Sequence, residues 1–174
     1  MIKKNLREKY ISFNCNKTPT DEIFSFIESL NIKNISLYMP FSNEIKTDVL
    51  KAYLIKNKYG LYFPFMRKTS DSYEIEFHMY NGILIRDDYR IHSYNGKKIE
   101  VNELDAVIMP GIAFNTSGFR LGYGKAFYDK ALRDFKGIKI GFIDEKCLIE
   151  EHFEEKHDIQ MDYIVTDKRI IKIK

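Results

Sequence analysis

The chain has 174 residues, of which 44% are hydrophobic and 30% charged, and its formal net charge at neutral pH is +3. These values are typical of a folded globular domain, and they exclude a disordered, collagen-like or coiled-coil chain. The positive charge is too small to indicate a nucleic-acid-binding protein by itself. The lysines also form no basic patch, because they are dispersed among acids. The longest nearly apolar run, Ala106 to Phe114, is too short for a membrane span, and Pro110 and Gly111 interrupt it.

The N-terminus and the cysteines bear on the cellular compartment. Residues 1–7 are charged and lack the apolar core of a secretory signal. Cys15 and Cys147 are far apart in the sequence, which indicates neither a disulfide framework nor a thiolate zinc site. We therefore expect one domain over residues 1–174 that is cytoplasmic and monomeric, with no nucleic-acid or membrane partner.

The first third of the chain predicts two amphipathic helices and a strand. Acids and then apolar residues at helical spacing follow Pro19, which predicts a helix there. An apolar, β-prone run predicts a strand over 35–39 that stops at Pro40. Thr47 can cap a second helix that ends at Tyr59-Gly60. The apolar face predicted for this second helix consists of Val49, Leu50, Tyr53 and Leu54.

The remaining elements are mostly strands. Residues 61–65 predict a strand, residues 73–79 alternate like an exposed or edge strand, and short irregular strands are expected within 80–100. A buried strand is predicted over 106–109, and a helix from about Gly124. The predicted inward face of that helix is Phe127, Tyr128, Ala131, Leu132 and Phe135. The last predicted strands are 138–143, 163–166 and 170–173.

Short apolar strands that alternate with amphipathic helices predict an α/β fold. We expect a single three-layer domain with a mostly parallel central sheet flanked by helices. Ligands of such sheets bind beyond the carboxyl ends of the strands. The loops after Met39 and Met109 are therefore the expected location of a functional site.

The loop after Met109 carries the residues best suited to chemistry. Its glycines allow close backbone approach, and the N–H groups at the start of the following helix can bind an anion. Arg120 and Lys125 bracket the loop with two cations suited to phosphate oxygens. Asp129 lies one helical turn after Lys125, where a carboxylate can take part in binding Mg²⁺ beside a nucleotide. The glycines of this loop are Gly118, Gly122 and Gly124.

Two well-known glycine loops do not fit this segment. Five residues separate Gly118 from Gly124 where a P-loop has four, and Lys125 is followed by Ala126 instead of Ser or Thr. Phe127 occupies the place of the third glycine in the dinucleotide fingerprint. The residues alone therefore leave two interpretations open, an anion site or a glycine-rich connector followed by a helix with a surface Lys-Asp pair.

Residues 104–129 resemble the 5-formyltetrahydrofolate cyclo-ligase family, whose members are also called methenyltetrahydrofolate synthetases. That family has Pro-Gly-x-x-Phe after a strand, matched here by Pro110–Phe114. It then has Arg-Leu-Gly-x-Gly-[Lys/Gly]-Gly-Tyr-Tyr-Asp, matched by Arg120–Asp129. Ala126 replaces a glycine, and its methyl group limits how closely a ligand can approach the backbone. Phe127 replaces a tyrosine, which removes a hydroxyl. Neither change removes a cation or a carboxylate.

Three further segments match the family in the same order along the chain. Lys3 and Arg7 match a Lys-x-x-x-Arg element at the start of the family's first helix. Tyr38–Glu44 matches an aromatic-x-Pro-x-x-x-Glu element after an early strand. His157–Asp167 matches a His-Asp-x-x-x-Asp element before a strand. Residues 66–103 match poorly, so the resemblance does not say how they build the folate side.

The resemblance implies ATP-dependent ring closure of 5-formyltetrahydrofolate to 5,10-methenyltetrahydrofolate, with ADP and phosphate released. In the family's scheme the formyl oxygen attacks the γ-phosphorus and gives an iminium phosphate. The neighbouring bridge nitrogen then attacks this intermediate and closes the ring, and phosphate leaves. ATP is the implied co-substrate and Mg²⁺ the implied metal. No covalent nucleophile is needed, so catalysis rests on in-line positioning and on cations at the transferring phosphoryl group.

The resemblance also implies a role for individual residues. Arg120 and Lys125 would be catalytic, and Asp129 and Asp158 would hold Mg²⁺. The ATP-binding residues would be Lys3, Lys4, Arg7, Arg120, Leu121, Gly122, Tyr123, Gly124, Lys125 and Tyr128. The substrate-binding residues would be Met39, Glu44, Tyr123, Gly124, Lys125, Ala126 and Phe127.

Ordinary interpretations exist for several of these residues when the family is set aside. Lys3 and Arg7 can be a solvated basic helix start, and Glu44 and Asp158 can be loop acids. A sugar-phosphate or CoA-ester enzyme of related fold, which binds its ligand without ATP turnover, is an alternative function. A small nucleotide-binding or nucleic-acid-binding module is a third, although it calls for a basic stripe interleaved with aromatic residues.

Overall fold

A computed structural model describes residues 2–13, 17–41 and 44–174 of the chain. Cys15 and two residues of the predicted Tyr38–Glu44 element, Ser42 and Asn43, lie outside these ranges. The helices are α1 (Ile2–Tyr10), α2 (Ile23–Ser29), α3 (Asp48–Lys56) and α4 (Phe127–Ala131). No helix in the described ranges is long and apolar enough to cross a membrane.

The strands are numbered in chain order. The first six are β1 (Asn34–Ser36), β2 (Gly60–Lys68), β3 (Tyr73–Met79), β4 (Ile85–Arg86), β5 (His92–Ser93) and β6 (Lys98–Ile99). The next four are β7 (Ala106–Pro110), β8 (Ala113–Asn115), β9 (Arg120–Leu121) and β10 (Ile138–Phe142). The last three are β11 (Leu148–Ile149), β12 (Tyr163–Val165) and β13 (Ile170–Lys172).

The main sheet has eight strands in the order β13-β12-β10-β7-β1-β2-β3-β6. Its five central strands, from β12 to β2, are parallel to one another. The outer strands β13, β3 and β6 are antiparallel. Two small sheets, β11-β8-β9 and β4-β5, complete the strands. The predicted α/β fold with a mostly parallel central sheet is confirmed.

Helices and loops cover both faces of the sheet, as the side chains of β7 show. Ala106 and Ile108 pack into one apolar cluster, which also contains the buried residues of α2 and α3. Val107 and Met109 pack into a second cluster, which contains Leu6 of α1 and the small three-stranded sheet. Because successive strand residues point to opposite faces, a strand buried on both sides is apolar throughout. The three-layer arrangement follows from these two clusters.

Helix α3 follows Thr47 as predicted, but the details of its ends and faces differ. The Thr47 hydroxyl donates to the carbonyl of Tyr38 at 3.2 Å and makes no capping hydrogen bond to the helix. The predicted apolar face was wrong in one member, because Val49 is 57% exposed. The buried positions are Leu50 and Leu54, one helical turn apart.

Strand β3 was predicted to be exposed or at an edge, and it lies one position inside the edge. It pairs along its whole length with β2, and the two-residue strand β6 covers part of its other side. The remaining strands of residues 80–100 are short, as predicted. Strand β1 is shorter than predicted and ends at Ser36, and the chain then continues as an irregular loop past Met39.

Candidate active site

A cavity of about 390 Å³ opens where the loops after β1 and β7 meet. Met39, after β1, and Pro110, at the end of β7, both line it, so it lies at the carboxyl ends of the parallel strands. This is the place where sheets of this class bind ligands. The predicted site residues that line it are Met39, Glu44, Arg120, Tyr123, Lys125, Ala126, Phe127 and Tyr128.

More than half of the lining comes from residues that sequence reasoning did not assign. Most of them belong to β2, β3 and the β4–β5 turn, within or next to the segment that matches the family poorly. The two-residue spacing of Pro64 and Met66 could have indicated that both lie on one face of β2. It carries no signal for Ile75, which lies opposite Met66 only through the register of β2 and β3. The unassigned lining residues are Tyr38, Phe41, Pro64, Met66, Ile75, Asp87, Tyr89, Ile91, His92 and Pro110.

Arg120 is the buried cation of the cavity. One terminal nitrogen donates to the carbonyl of Pro110 at 3.4 Å, and the other contacts the Asp129 carboxylate at 3.3 Å. The guanidinium carbon lies 5.1 Å from the ring centroid of Tyr128, a cation–π contact. Its buried Nε has no hydrogen-bond partner among the described residues. Arg120 therefore has one unsatisfied, buried donor beside the cavity.

Glycine is favoured at two positions of the loop that follows Arg120. A Cβ atom on Gly122 would lie 2.6 Å from a terminal nitrogen of Arg120, so any larger residue would displace the guanidinium. Gly124 has a φ of +88°, which side chains other than glycine rarely adopt. The carbonyl of Gly122 accepts a hydrogen bond from Nε of Arg7 at 2.8 Å. This bond attaches helix α1 to the loop.

The helix predicted from about Gly124 begins at Phe127 and is only five residues long. The reason is the backbone before it, where Ala126 follows Gly124 into the left-handed region with a φ of +54°. A right-handed helix cannot pass through such residues. The exposed Lys125 lies between them, lines the cavity and makes no ion pair with a described residue.

Glu44 is a buried acid that lines the same cavity. Its carboxylate accepts a hydrogen bond from the backbone N–H of Phe41 at 2.9 Å. Burial raises the pKa of Glu44 from 4.5 to about 7, although this hydrogen bond and the charges of Arg120 and Lys46 act in the opposite direction. Near neutral pH a substantial fraction of this side chain is therefore protonated and can donate a hydrogen bond.

Two tyrosines near Glu44 stay protonated. Burial raises the pKa of the Tyr123 hydroxyl, and the charge of Glu44 adds to that effect. Burial also raises the pKa of Tyr128, against the opposing charge of Arg120. Both hydroxyls can therefore act as neutral hydrogen-bond donors at the cavity.

Helix α1 contributes Lys3 and Arg7 to this region, one helical turn apart. Lys3 Nζ lies 2.6 Å from the Asp158 carboxylate and 3.4 Å from that of Glu155. The structure does not bring Lys4 to this group, because its side chain is 79% exposed and contacts only Glu8.

Leu121, another predicted ATP-binding residue, is fully buried in the core. Its side chain packs in the apolar cluster that contains Val107 and Met109. Only its backbone is therefore available to a ligand, so any contact of Leu121 with ATP would be made by backbone atoms.

The two predicted metal ligands lie on neighbouring segments. An oxygen of Asp129 accepts from the backbone N–H of Ile159 at 3.4 Å, one residue after Asp158. Each carboxylate is paired with a cation, Asp129 with Arg120 and Asp158 with Lys3. The described residues include no group of three or more His, Cys, Asp and Glu side chains that could hold a metal.

This donor set does not fit an all-protein metal cage. It does fit Mg²⁺, which commonly binds one or two carboxylates and takes its other ligands from phosphates and water.

Comparison with known proteins gives one family. The model of the 5-formyltetrahydrofolate cyclo-ligase family matches residues 2–167. A 5-formyltetrahydrofolate cyclo-ligase of Mycoplasma genitalium is 30% identical over 139 residues, which cover 78% of this chain and 73% of that protein. The Escherichia coli protein of the same name is 26% identical over 147 residues, which cover 78% of this chain and 79% of that protein.

Solved structures give the same fold. The structure of 5,10-methenyltetrahydrofolate synthetase from Aquifex aeolicus superimposes with a TM-score of 0.80 at 25% identity, covering 99% of this chain and 93% of that one. A 5,10-methenyltetrahydrofolate synthetase from Mycoplasma pneumoniae has the same fold, with a TM-score of 0.72 at 24% identity over 96% and 97% of the two chains.

Proposed function

Because the chain belongs to the 5-formyltetrahydrofolate cyclo-ligase family, we propose that it converts 5-formyltetrahydrofolate to 5,10-methenyltetrahydrofolate with ATP and Mg²⁺, releasing ADP and phosphate. The observation that carries the proposal is the cavity itself, which is lined by a buried acid, two cations and apolar walls. In this proposal the enzyme is a cytoplasmic monomer of one domain over residues 1–174.

The folate end of the site is proposed to lie at Glu44. A carboxyl group that is partly protonated near neutral pH can both donate to and accept from the ring nitrogens of a reduced pterin. Met39, Tyr123 and Phe127 supply apolar surface next to it. The flat pterin ring is thus held between apolar side chains and oriented by one buried acid.

The triphosphate end is proposed to lie at the glycine loop. Arg120 has a free Nε donor, Lys125 has no partner among the described residues, and the backbone of 122–124 is open to close approach. Lys3 and Arg7 on α1 would add two cations, with Lys3 moving from Asp158 to a phosphate oxygen. Asp129 and Asp158 would hold Mg²⁺, which would supply positive charge to the phosphates.

The chain's part in the reaction is positioning and charge neutralisation. The formyl oxygen of the substrate attacks the γ-phosphorus, ADP leaves, and the bridge nitrogen of the substrate attacks the formyl carbon while phosphate departs. Arg120 and Lys125 neutralise charge on the transferring phosphoryl group, and Glu44 fixes the pterin so that the formyl oxygen lies in line with ATP. No side chain forms a covalent bond in this sequence.

The proposal is tested by following the absorbance of the methenyl product. Purified protein with 5-formyltetrahydrofolate, ATP and Mg²⁺ should form it, and omission of ATP or chelation of Mg²⁺ should abolish its formation. Folded protein that binds a sugar phosphate or CoA ester and forms no methenyl product would support the alternative enzyme class instead.

A further inference from the structure

The cavity has a wall that the phosphate and pterin contacts described above do not use. It consists of Met66 and Ile75 from the β2–β3 pair, and Tyr89 and Ile91 from the turn between β4 and β5. We call these four residues the second wall. All four are apolar or aromatic, and Tyr89 and Ile91 are 38% and 43% exposed.

A buried carboxylate fixes the second wall. Asp87 accepts hydrogen bonds from the backbone N–H groups of Met66, Tyr89 and Ile91, at 2.9, 3.0 and 2.9 Å. These bonds join the β4–β5 turn to strand β2. They engage both carboxylate oxygens of Asp87. The four side chains of the second wall are themselves uncharged and present apolar or aromatic surface.

The Tyr89 ring is supported from two sides. It packs edge-on against Tyr73 at 4.7 Å and against Phe127 at 5.7 Å, measured between ring centroids. Its hydroxyl makes no hydrogen bond with any residue in the described ranges. An aromatic ring that is fixed before binding loses little entropy on contact, and aromatic rings pair favourably with other flat rings.

The apolar surface of the second wall matches one part of the substrate better than the others. This inference rests on the proposed function. The pterin has hydrogen-bonding edges that need Glu44, and the glutamate carboxylates need cations or water. The p-aminobenzoyl ring between them has apolar faces and no hydrogen-bonding edge. We infer that Tyr89 is a substrate-binding residue that contacts the p-aminobenzoyl ring and so favours the complete folate over the bare pterin.

Calorimetric titration with two ligands tests this inference. The ligands are 5-formyltetrahydrofolate and 5-formyltetrahydropterin, which lacks the p-aminobenzoylglutamate. Tyr89→Leu should weaken binding of the complete folate about tenfold and change binding of the pterin much less, because leucine keeps an apolar side chain beside Phe127. Tyr89→Phe, which keeps the ring, should retain the preference for the folate. Tyr59→Leu removes a half-buried tyrosine outside the cavity lining and should change neither affinity.

Several results would overturn the inference. An equal loss of affinity for both ligands in Tyr89→Leu, or no loss for either, removes Tyr89 from the p-aminobenzoyl contact and leaves the proposed function standing. Wild-type protein that neither binds nor converts 5-formyltetrahydrofolate removes the proposed function and this inference together. If circular dichroism shows that Tyr89→Leu is unfolded, Tyr89→Met takes its place in the same titrations.

Discussion

Arg120 and Glu44 line one cavity with opposite formal charges and without a direct ion pair. Arg120 uses its terminal nitrogens on Pro110 and Asp129, and Glu44 is bonded to the backbone of Phe41. Burial of Glu44 dominates over the attraction of Arg120, and its pKa is raised as a result. The site therefore has a permanent cation beside an acid that is partly neutral near pH 7, which suits a phosphate and a pterin respectively.

Lys125 gives the cleanest test of a cation in the mechanism, because it is exposed and makes no ion pair with a described residue. Lys125→Ala should lower the turnover number about 100-fold, since one charge on the transferring phosphoryl group is lost. Its free energy of unfolding should stay within about 0.5 kcal/mol of wild type. Lys130→Ala, an exposed lysine of α4 that does not line the cavity, is the control and should keep full turnover. Near-normal turnover of Lys125→Ala would remove it from the site.

The raised pKa of Glu44 should make the protein less stable as the pH rises. Its pKa is higher in the folded chain than the ordinary 4.5, so the folded state binds the proton more tightly than the unfolded state. The free energy of unfolding should therefore fall as pH rises from about 4.5 to about 7. Glu44→Gln cannot lose a proton there, so its stability relative to wild type should rise by about 3 kcal/mol across that range.

Urea unfolding of both proteins at several pH values measures the difference. Glu74→Gln, a change at an exposed acid outside the cavity, is the matched control. A constant difference between Glu44→Gln and wild type over the whole pH range would contradict the burial argument.

At the residue scale, the sequence motif located the charged groups better than it located their partners. The spacing of Arg120, Lys125 and Asp129 indicated an anion site at the glycine loop. It could not show that Arg120 lies against Asp129, because side-chain direction in an irregular loop depends on the backbone angles of Gly124 and Ala126. Residues that line the cavity through apolar contact alone, such as Tyr89, carry no motif.

The glycine loop is the element on which the site depends. Gly124 and Ala126 have positive φ angles, and for this reason α4 begins only at Phe127. Lys125 therefore lies in an irregular loop and is exposed at the cavity. In a helix that began at Gly124, it would instead be part of the first helical turn. The family motif has glycine in the place of Ala126, and the left-handed φ of that residue gives the physical reason.

Ala126→Gly tests this account of the loop. Relief of the left-handed conformation contributes about 1–2 kcal/mol, and the greater freedom of glycine in the unfolded chain costs about 0.4–1 kcal/mol. We expect the free energy of unfolding to rise by about 0.5 kcal/mol, with turnover and ATP affinity close to wild type. Denaturant unfolding and ATP titration measure both, and a large loss of ATP affinity would show that the methyl group itself is required.

The success of element prediction depended on length and burial. Strand β7 was found because its residues are apolar on both faces, and β3 because it alternates. Strands β8, β9 and β11 were missed, since two or three residues show no period. The predicted apolar face of α3 included Val49 because a short sequence does not fix which side of a helix meets the sheet.

At the scale of the whole molecule, the site joins parts that are far apart in the chain. The first helix reaches the C-terminal segment through Lys3 and Asp158, and the glycine loop through Arg7 and Gly122. Strands β2 and β3 supply the opposite part of the cavity lining. A folate and a nucleotide together need a longer binding surface than one loop provides, and the sheet brings these segments to a common edge.

The sequence predicted the class of fold, which is confirmed, and it supplied the residues proposed for the phosphate end, because both depend on local patterns. It could not predict the second wall, the proposed folate side, which arises from the register that sets Met66 opposite Ile75 and from the three backbone bonds to Asp87. Such contacts are made between strands, and no spacing along one segment encodes them.

An isotope-labelling experiment tests the first step of the proposed reaction, the attack of the formyl oxygen on ATP. Substrate labelled with a heavy oxygen isotope in the formyl group is incubated with the protein, ATP and Mg²⁺, and both the methenyl product and the released phosphate are analysed. We expect one labelled phosphate for each methenyl product, because the formyl oxygen attacks the γ-phosphorus and leaves with it. Unlabelled phosphate, or no methenyl product from folded protein, would contradict the account.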